Sequence, residues 1–324
     1  MLTAYALTDG RLDKLDVPDG GPIPERAVWI DLRSPTPAES AAAVALTHIE
    51  IPSEADLDVL SDTDRLYRQG GALYLEFTVL HRSQPGVTPD TTDLATIFSG
   101  DRLVTVRYAD PFPITRFVTA HERVSCISAS SMGIFVGLLE NFVARIGEYV
   151  SANSSELYAI SREVFHRKGD QFGAAQLQGV LDRLGRTGDT NAKARDSLAS
   201  INRLLAFSTD ELDAVTDKPT RNAFRAIRRD VMAITDYANF VAGQLTFVLD
   251  AVLGLATVEQ NRVIKIFSVV ATLFIPPTLF ASLWGMNFKH MPELDSTWGY
   301  PLALLTMILS AVLPYIYFRW RGWL

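Results

Sequence analysis

The period of the hydrophobic positions changes twice along the chain. In residues 1–7 and 27–32 apolar and polar side chains alternate, as in strands with one face in a core, and turn formers follow each (Asp9-Gly10 and Ser34-Pro35). Residues 72–80, 94–98 and 103–107 read as three further strands, split by Gly70-Gly71, Pro85-Gly86 and Gly100-Asp101. Thr36-Pro37-Ala38-Glu39 supplies an N-cap, a proline at the first helical position and a capping-box glutamate, so a helix through Leu46 follows. These signals predict an α/β domain over residues 1–125 that closes with a short helix behind Pro113.

From Ser131 onward the spacing is helical. Residues 132–167 form one predicted helix, stopped at Gly169-Asp170, and residues 174–186 and 193–207 form two more with a break at Gly188-Asp189. Residues 134–139 are apolar but too short to cross a membrane. No proline occurs between Pro219 and Pro276, and the pattern predicts a single helix over 220–286, with Gly243 and Gly254 as weak points. At 1.5 Å per residue it is about 100 Å long. A helix of that length needs partners along its course.

Two runs are unsuited to water. Residues 266–286 contain no ionisable side chain, and residues 296–318 form a second such run. Each is long enough to cross a hydrocarbon core of about 30 Å as a helix. The connection 285–295 is too short and too polar to be a domain. The expected architecture is therefore α+β: an α/β domain (1–125), a helical stalk region (126–263) and a two-helix transmembrane hairpin (264–324) with an outer loop over about 287–297.

Composition sharpens this division. Mean hydropathy is +0.12, high for a water-soluble chain and low for one that is membrane throughout. The formal charge is -7, and residues 264–324 carry four basic and two acidic side chains, so their net of +2 leaves -9 on residues 1–263. An acidic body on a membrane hairpin suits cations and argues against nucleic acid. Residues 1–10 hold no basic stretch followed by an apolar core, so no secretory signal is expected. Arg262 and Lys265 before the first run, with Arg319 and Arg321 after the second, place both termini in the cytoplasm, and Lys289 is the basic charge on the far side. A single cysteine, Cys126, excludes a disulfide framework or a thiolate metal site within one chain. The five histidines form no HExxH or paired ligand spacing, and neither a P-loop nor GxGxxG occurs. An enzyme, an organic cofactor and direct ATP-driven pumping are not expected.

One face of the first span differs from the rest. Steps of three and four back from Gly285 meet Ser282, Thr278, Ile275, Ala271, Ser268, Ile264 and Asn261, then Thr257, Gly254 and Asp250. Phe267, Val269, Val270, Leu273, Phe274, Leu279, Phe280 and Leu283 occupy the remainder. The spacing averages about 3.5, the period of a seam facing symmetry mates. Small residues let transmembrane helices pack closely. A water-lined pore on a symmetry axis is the alternative, and Asn261 and Asp250 favour it, because a carboxylate on that face needs water or a cation. Pro276-Pro277 at mid-span frees two carbonyls, either as a packing kink or as part of a permeation path. At the outer end Gly285-Met286-Asn287 closes the span, where glycine permits a tight turn and Asn287 can offer an amide oxygen. A ring of neutral amides can hold hydrated magnesium by its waters without stripping them. Glu293 and Asp295 in the loop would concentrate cations there.

At these residues the chain resembles the CorA family of magnesium and cobalt transport proteins. The resemblance rests on Glu259-Gln260-Asn261-Arg262, Phe267-Ser268-Val269-Val270, Pro276-Pro277-Thr278, Gly285-Met286-Asn287, Met291-Pro292-Glu293-Leu294 and Gly299-Tyr300-Pro301. Leu2 to Leu7, Ala27-Val28-Trp29-Ile30-Asp31-Leu32 and Arg65-Leu66-Tyr67 extend it more loosely to the other end. It implies a funnel-shaped homopentameric channel in a bacterial inner membrane that admits magnesium, also cobalt and possibly nickel, down the electrochemical gradient without ATP. The filter would fall on Gly285, Met286 and Asn287, an ion site on Asn261, and hydrophobic constriction on Ile264, Phe267 and Ile275. Magnesium bound between cytoplasmic domains would keep the channel closed. Two departures stand out: Lys289 replaces an acid that many members carry, and the family's sensing pair of aspartates falls on Val59 and Ala226, which cannot bind a metal. Asp58 and Asp230 are the nearby acids to which a regulatory site would pass, with Asp56, Asp62 and Asp64 close by. A zinc transporter of the related ZntB type and a non-conducting membrane-anchored scaffold or sensor are the competing readings.

Overall fold

The computed structural model describes residues 1–324 except 19–20, 60–64, 82–87, 123, 125–128, 166–173, 213–216, 287–290, 292–296 and 323–324, and except the side chains at 58, 59, 174 and 209–212. It divides into two compact units. One comprises Met1–Gly169 with Gln178–Leu249, and the other comprises Asp170–Leu177 with Asp250–Leu324.

The first unit is built on a seven-stranded sheet ordered β2-β1-β3-β7-β6-β5-β4. Its strands are β1 (Leu2–Thr8), β2 (Arg11–Leu15), β3 (Trp29–Arg33), β4 (Leu66–Gln69), β5 (Ala72–His81), β6 (Asp90–Ser99) and β7 (Arg102–Arg107). Every pairing is antiparallel except β3 with β7, which run parallel with Asp31 opposite Thr105. β2 and β4, which the alternation did not mark, are products of the turns beside them. Asp9 and Gly10 have φ of 52 and 77, and Gly70 and Gly71 have φ of 59 and 85, which is the backbone a two-residue hairpin needs.

Helices cover both faces. α1 (Pro37–Thr47) contacts β3 and α2 (Glu54–Val59) contacts β6, over a core that includes Ile30, Leu32, Ile97, Val104 and Val106. The capping box of α1 forms as the spacing predicts: the Glu39 amide donates to Thr36 Oγ1 (3.3 Å), and the Thr36 amide donates to Glu39 Oε2 (2.8 Å). α3 (Phe112–His121) and α4 (Ser131–Phe165) cover the opposite face, where Phe117, Phe135 and Phe142 meet Trp29, Phe98 and Phe77 edge-on at 5.2–5.9 Å. The central strands are buried on both sides, so their polar residues satisfy one another. Asp31 accepts from Thr105 Oγ1 (2.7 Å) and from Arg107 Nη2 (2.9 Å), while Trp29 Nε1 donates to Thr105 Oγ1 (3.0 Å).

α5 (Ala174–Leu212) passes through Gly188-Asp189 unbroken, contrary to the predicted stop. Asp189 pairs with Lys193 one turn on (3.0 Å), and Asn191 Nδ2 donates to the Ala238 carbonyl (3.0 Å). A β-carbon at Gly188 would touch Leu245 at 3.9 Å, so this glycine marks where the helices lie close, not where one ends. Both partners belong to α6 (Lys218–Trp284), 67 continuous residues. In the second unit α6 is accompanied by α7 (Gly299–Trp320).

Gly137 on α4 tests the packing of the sheet's second face. A β-carbon there would lie 2.4 Å from Cε2 of Phe117, which is wholly buried between Trp29 and His121. Gly137→Ala is expected to destabilise the protein by about 1–3 kcal/mol through overpacking. Chemical denaturation of the purified full chain measures this, and an unchanged midpoint would mean that the ring yields freely.

Candidate functional site

α6 and α7 each have the length and composition of a membrane span, and almost none of either apolar window is buried. α7 is 22 residues long, or about 33 Å. Both spans carry aromatic ends that the sequence reading passed over: Trp284, Trp298 and Tyr300 beside the connection, and Tyr315, Tyr317 and Trp320 at the other end of α7. Trp298, Tyr300 and Trp320 are each more than three-quarters exposed. Such rings, with Arg321 lying 5.9 Å over Tyr317, suit the two headgroup levels of a bilayer.

At 3.6 residues per turn, Asp250, Thr257, Asn261, Ile264, Ser268, Ala271, Ile275, Thr278 and Ser282 fall within a sector of about 100° on α6. All nine are exposed in the single chain, and so is Phe267 at the sector's edge. The charged side chains after Asp250 lie elsewhere on the helix: Glu259 and Arg262 form an i,i+3 pair at 3.8 Å, and Lys265 follows. The hydroxyl groups of Thr257, Ser268 and Thr278 are turned into the backbone. Ser268 Oγ donates to the Ile264 carbonyl (2.8 Å), and Thr278 Oγ1 donates to the carbonyls of Phe274 and Ile275 (2.9 Å each). A hydroxyl that has given up its proton in this way offers only lone pairs outward. α6 continues through Pro276-Pro277, which leave the carbonyls of Thr272 and Leu273 without their helical N–H partners.

The end of α6 differs in one respect from expectation. Gly285 does not take a positive φ, so a left-handed turn is not what glycine provides there. Its amide donates to the Ala281 carbonyl (3.1 Å), and a β-carbon would come within 3.1 Å of that same oxygen. Met286 is 43% exposed, and its amide reaches the Leu283 carbonyl at 3.4 Å. Asn287, Lys289, Glu293 and Asp295 lie outside the described residues.

The acids considered for regulation are separately employed or only partly visible. Asp56 caps α2: its Oδ2 accepts from the Ser53 amide (2.8 Å) and hydroxyl (2.6 Å), which holds its carboxyl below the usual range. The side chains of Asp58 and Val59, like Asp62 and Asp64, are outside the description. Asp230 lines a hollow of about 450 Å³ with Glu140, whose carboxyl is raised by burial and then by Asp230. No group of three or more His, Cys, Asp or Glu side chains is arranged to hold a metal among the described residues.

The model of the CorA-like Mg2+ transporter protein family matches residues 24–320. The magnesium transport protein CorA of Escherichia coli (strain K12) is 30% identical over 326 residues, with all of both chains covered. That of Haemophilus influenzae is 29% identical over 328 residues, again with both chains fully covered. In fold, the complete structure of the CorA magnesium transporter from Methanocaldococcus jannaschii aligns with a TM-score of 0.78 at 18% identity, covering 100% of this chain and 99% of that one. The cytoplasmic domain of ZntB from Vibrio parahaemolyticus aligns at a TM-score of 0.57 and 11% identity, over 78% of this chain and 96% of that one. With the family's match running through sheet, long helices and both apolar spans, the chain belongs to the CorA-like Mg2+ transporter protein family.

Proposed function

We propose that this chain is a magnesium channel that admits the ion, with cobalt and nickel as further substrates, down its electrochemical gradient. The observation that carries the reading is the sector of α6 from Asp250 to Ser282, small or uncharged beyond its first residue and exposed along its length in the single chain. Copies of α6 arranged about an axis, five in a homopentamer, would turn this sector to a common water-filled path. Relatives named as magnesium transport proteins over their full length support the substrate.

In this reading residues 264–324 form the membrane hairpin of an inner-membrane protein, with both termini in the cytoplasm and the 287–297 connection outside. Gly285, Met286 and Asn287 form the outer filter, Asn261 an inner ion site, and Ile264, Phe267 and Ile275 the dry constriction. Glu293 and Asp295 draw cations to the mouth, against Lys289. Magnesium holds its waters in near-ideal octahedral geometry and loses them reluctantly. Neutral acceptors therefore suit it better than carboxylates, which would hold the ion too well for it to leave. Val59 and Ala226 offer no ligand, so a cytoplasmic magnesium sensor would have to use other acids, with Asp58 and Asp230 as the candidates.

Uptake into proteoliposomes loaded with a magnesium-sensitive dye tests the function. The wild-type protein is expected to give a rise driven by an inside-negative potential, and Asn287→Ala a signal near background. Background from both would indicate a scaffold, and uptake of zinc in place of magnesium would indicate the ZntB-type substrate. Gly285→Ala is expected to abolish uptake while leaving the unfolding midpoint in place, because the β-carbon crowds the last carbonyls at the filter. Normal flux would remove the filter assignment. Asp250→Lys sets a ring of positive charge at the inner end and is expected to cut conductance several-fold at low salt. Unchanged single-channel current would mean that the residue faces away from the path.

A further inference from the structure

β4 pairs with β5 only from Leu66 opposite Leu75 to Gln69 opposite Ala72, so the edge of β5 beyond Leu75 must find other partners. The Glu76 amide donates to the Arg65 carbonyl (2.9 Å), and the Thr78 amide donates to Ser200 Oγ on α5 (3.0 Å). Arg65 is thereby held beside β5. Its Nη1 donates to Thr78 Oγ1 (3.1 Å) and to Asp93 Oδ1 (2.7 Å), and Thr78 Oγ1 donates to the same Asp93 oxygen (2.6 Å). Arg65, Thr78 and Asp93 line a polar hollow of about 550 Å³, together with Glu54, His81 and Asp196.

Glu76 lies two positions before Thr78, on the same face of the strand. It is 2% exposed, and its Oε1 has no hydrogen-bond partner among the described residues. Among the described residues, four charged or titratable groups act on it or feel it: Arg65 and Tyr67 on the β4 side, Asp93 on β6, and Asp56 on α2. Burial pushes Glu76 up to about 7, with Arg65 pulling it down and Asp93 and Asp56 adding to the rise.

We propose that Glu76 is a proton-operated switch that competes with Asp93 for the Arg65 guanidinium. While Glu76 carries its proton, Arg65 stays with Asp93 and the floor of the hollow is a neutralised pair. When the proton leaves for solvent, the new carboxylate draws Arg65 toward itself, and Asp93, still accepting from Thr78 Oγ1, is left without its cation beside the hollow. The sign of the linkage follows. The folded chain keeps a proton that the unfolded chain has already released at its ordinary value of 4.5. The stability contributed by the neutral acid is therefore complete below that pH and is lost as pH rises through about 7.

Infrared titration of the full-length protein in lipid nanodiscs tests this, reading the carbonyl stretch of protonated carboxylic acid. The expected result is a band lost with a midpoint near pH 7 and absent from Glu76→Gln. Arg65→Met should raise the midpoint and Asp93→Asn should lower it, each by about one unit. Asp56→Asn, on the surface of α2, should give a smaller fall and depends least on refolding of the core. Competition makes a further demand: removing Arg65 should shift the midpoint more in the Asp93→Asn background than in the wild type. Equal shifts in the two backgrounds would overturn the competition, and a component with a midpoint near pH 7 that persists undiminished in Glu76→Gln would overturn the switch.

Discussion

A helix that crosses hydrocarbon must settle its backbone polar groups without help from lipid, and α6 meets that demand with two adjacent prolines in its span. Pro276 and Pro277 leave two carbonyls unpaired, and each such group costs several kcal/mol if it faces an apolar medium. The nearby hydroxyls give no relief, since Ser268, Thr272 and Thr278 can only add donors to carbonyls at 264, 268, 274 and 275. The carbonyls of Thr272 and Leu273 therefore call for water or a neighbouring helix. Asn261, Ser268, Thr278 and Ser282 on the same stretch make the same call. A helix meant to meet lipid on every side would carry neither feature.

Much of this was legible from spacing, because the two properties involved are local. The absence of charge over residues 266–286, and the repeat of small and polar residues through it, follow from identity and position alone. The capping box at Thr36 and the single long helix after Lys218 were legible for the same reason. The failures lie where a partner distant in sequence decides. Gly188-Asp189 reads as a helix stop, yet Leu245 and Ala238 of α6 pack against that turn of α5 and hold it helical. β2 and β4 are short edge strands whose pairing depends on two-residue turns with positive φ, and neither has enough alternation to register by itself. At Gly285 the backbone is ordinary, and a β-carbon there would come within 3.1 Å of the Ala281 carbonyl oxygen.

The first unit shows the cost of burying a sheet on both faces. Alternation in residues 27–32 suggests one wet face, but Asp31 is 5% exposed and Arg107 is 6% exposed. Removing Arg107 would leave the Asp31 carboxylate buried and without its cation, the case in which a buried pair matters most, whereas Arg107 also holds Asp110. Thr105 and Trp29 complete the set, so the parallel pairing of β3 with β7 is tied by side chains as well as by backbone. Glu76 is the contrasting case on the same sheet. It is buried as deeply but has an unpartnered oxygen, and it relieves the strain by holding a proton at a pH where surface glutamates have lost theirs.

The chemistry of the α6 sector also favours one sign of ion. Water molecules around a cation point their oxygens inward and their hydrogens outward, so a wall that receives them should accept hydrogen bonds. Ser268 and Thr278 spend their protons on backbone carbonyls and face outward with lone pairs. An anion presents the opposite shell and would find few donors beyond the Asn261 amide group and the Ser282 hydroxyl. Because Glu259, Arg262 and Lys265 sit off the sector, this preference arises without fixed charge beyond Asp250 at its start. In the proposed path, an acceptor wall of that kind would guide a hydrated cation by many weak contacts, none of which is strong enough to stop it.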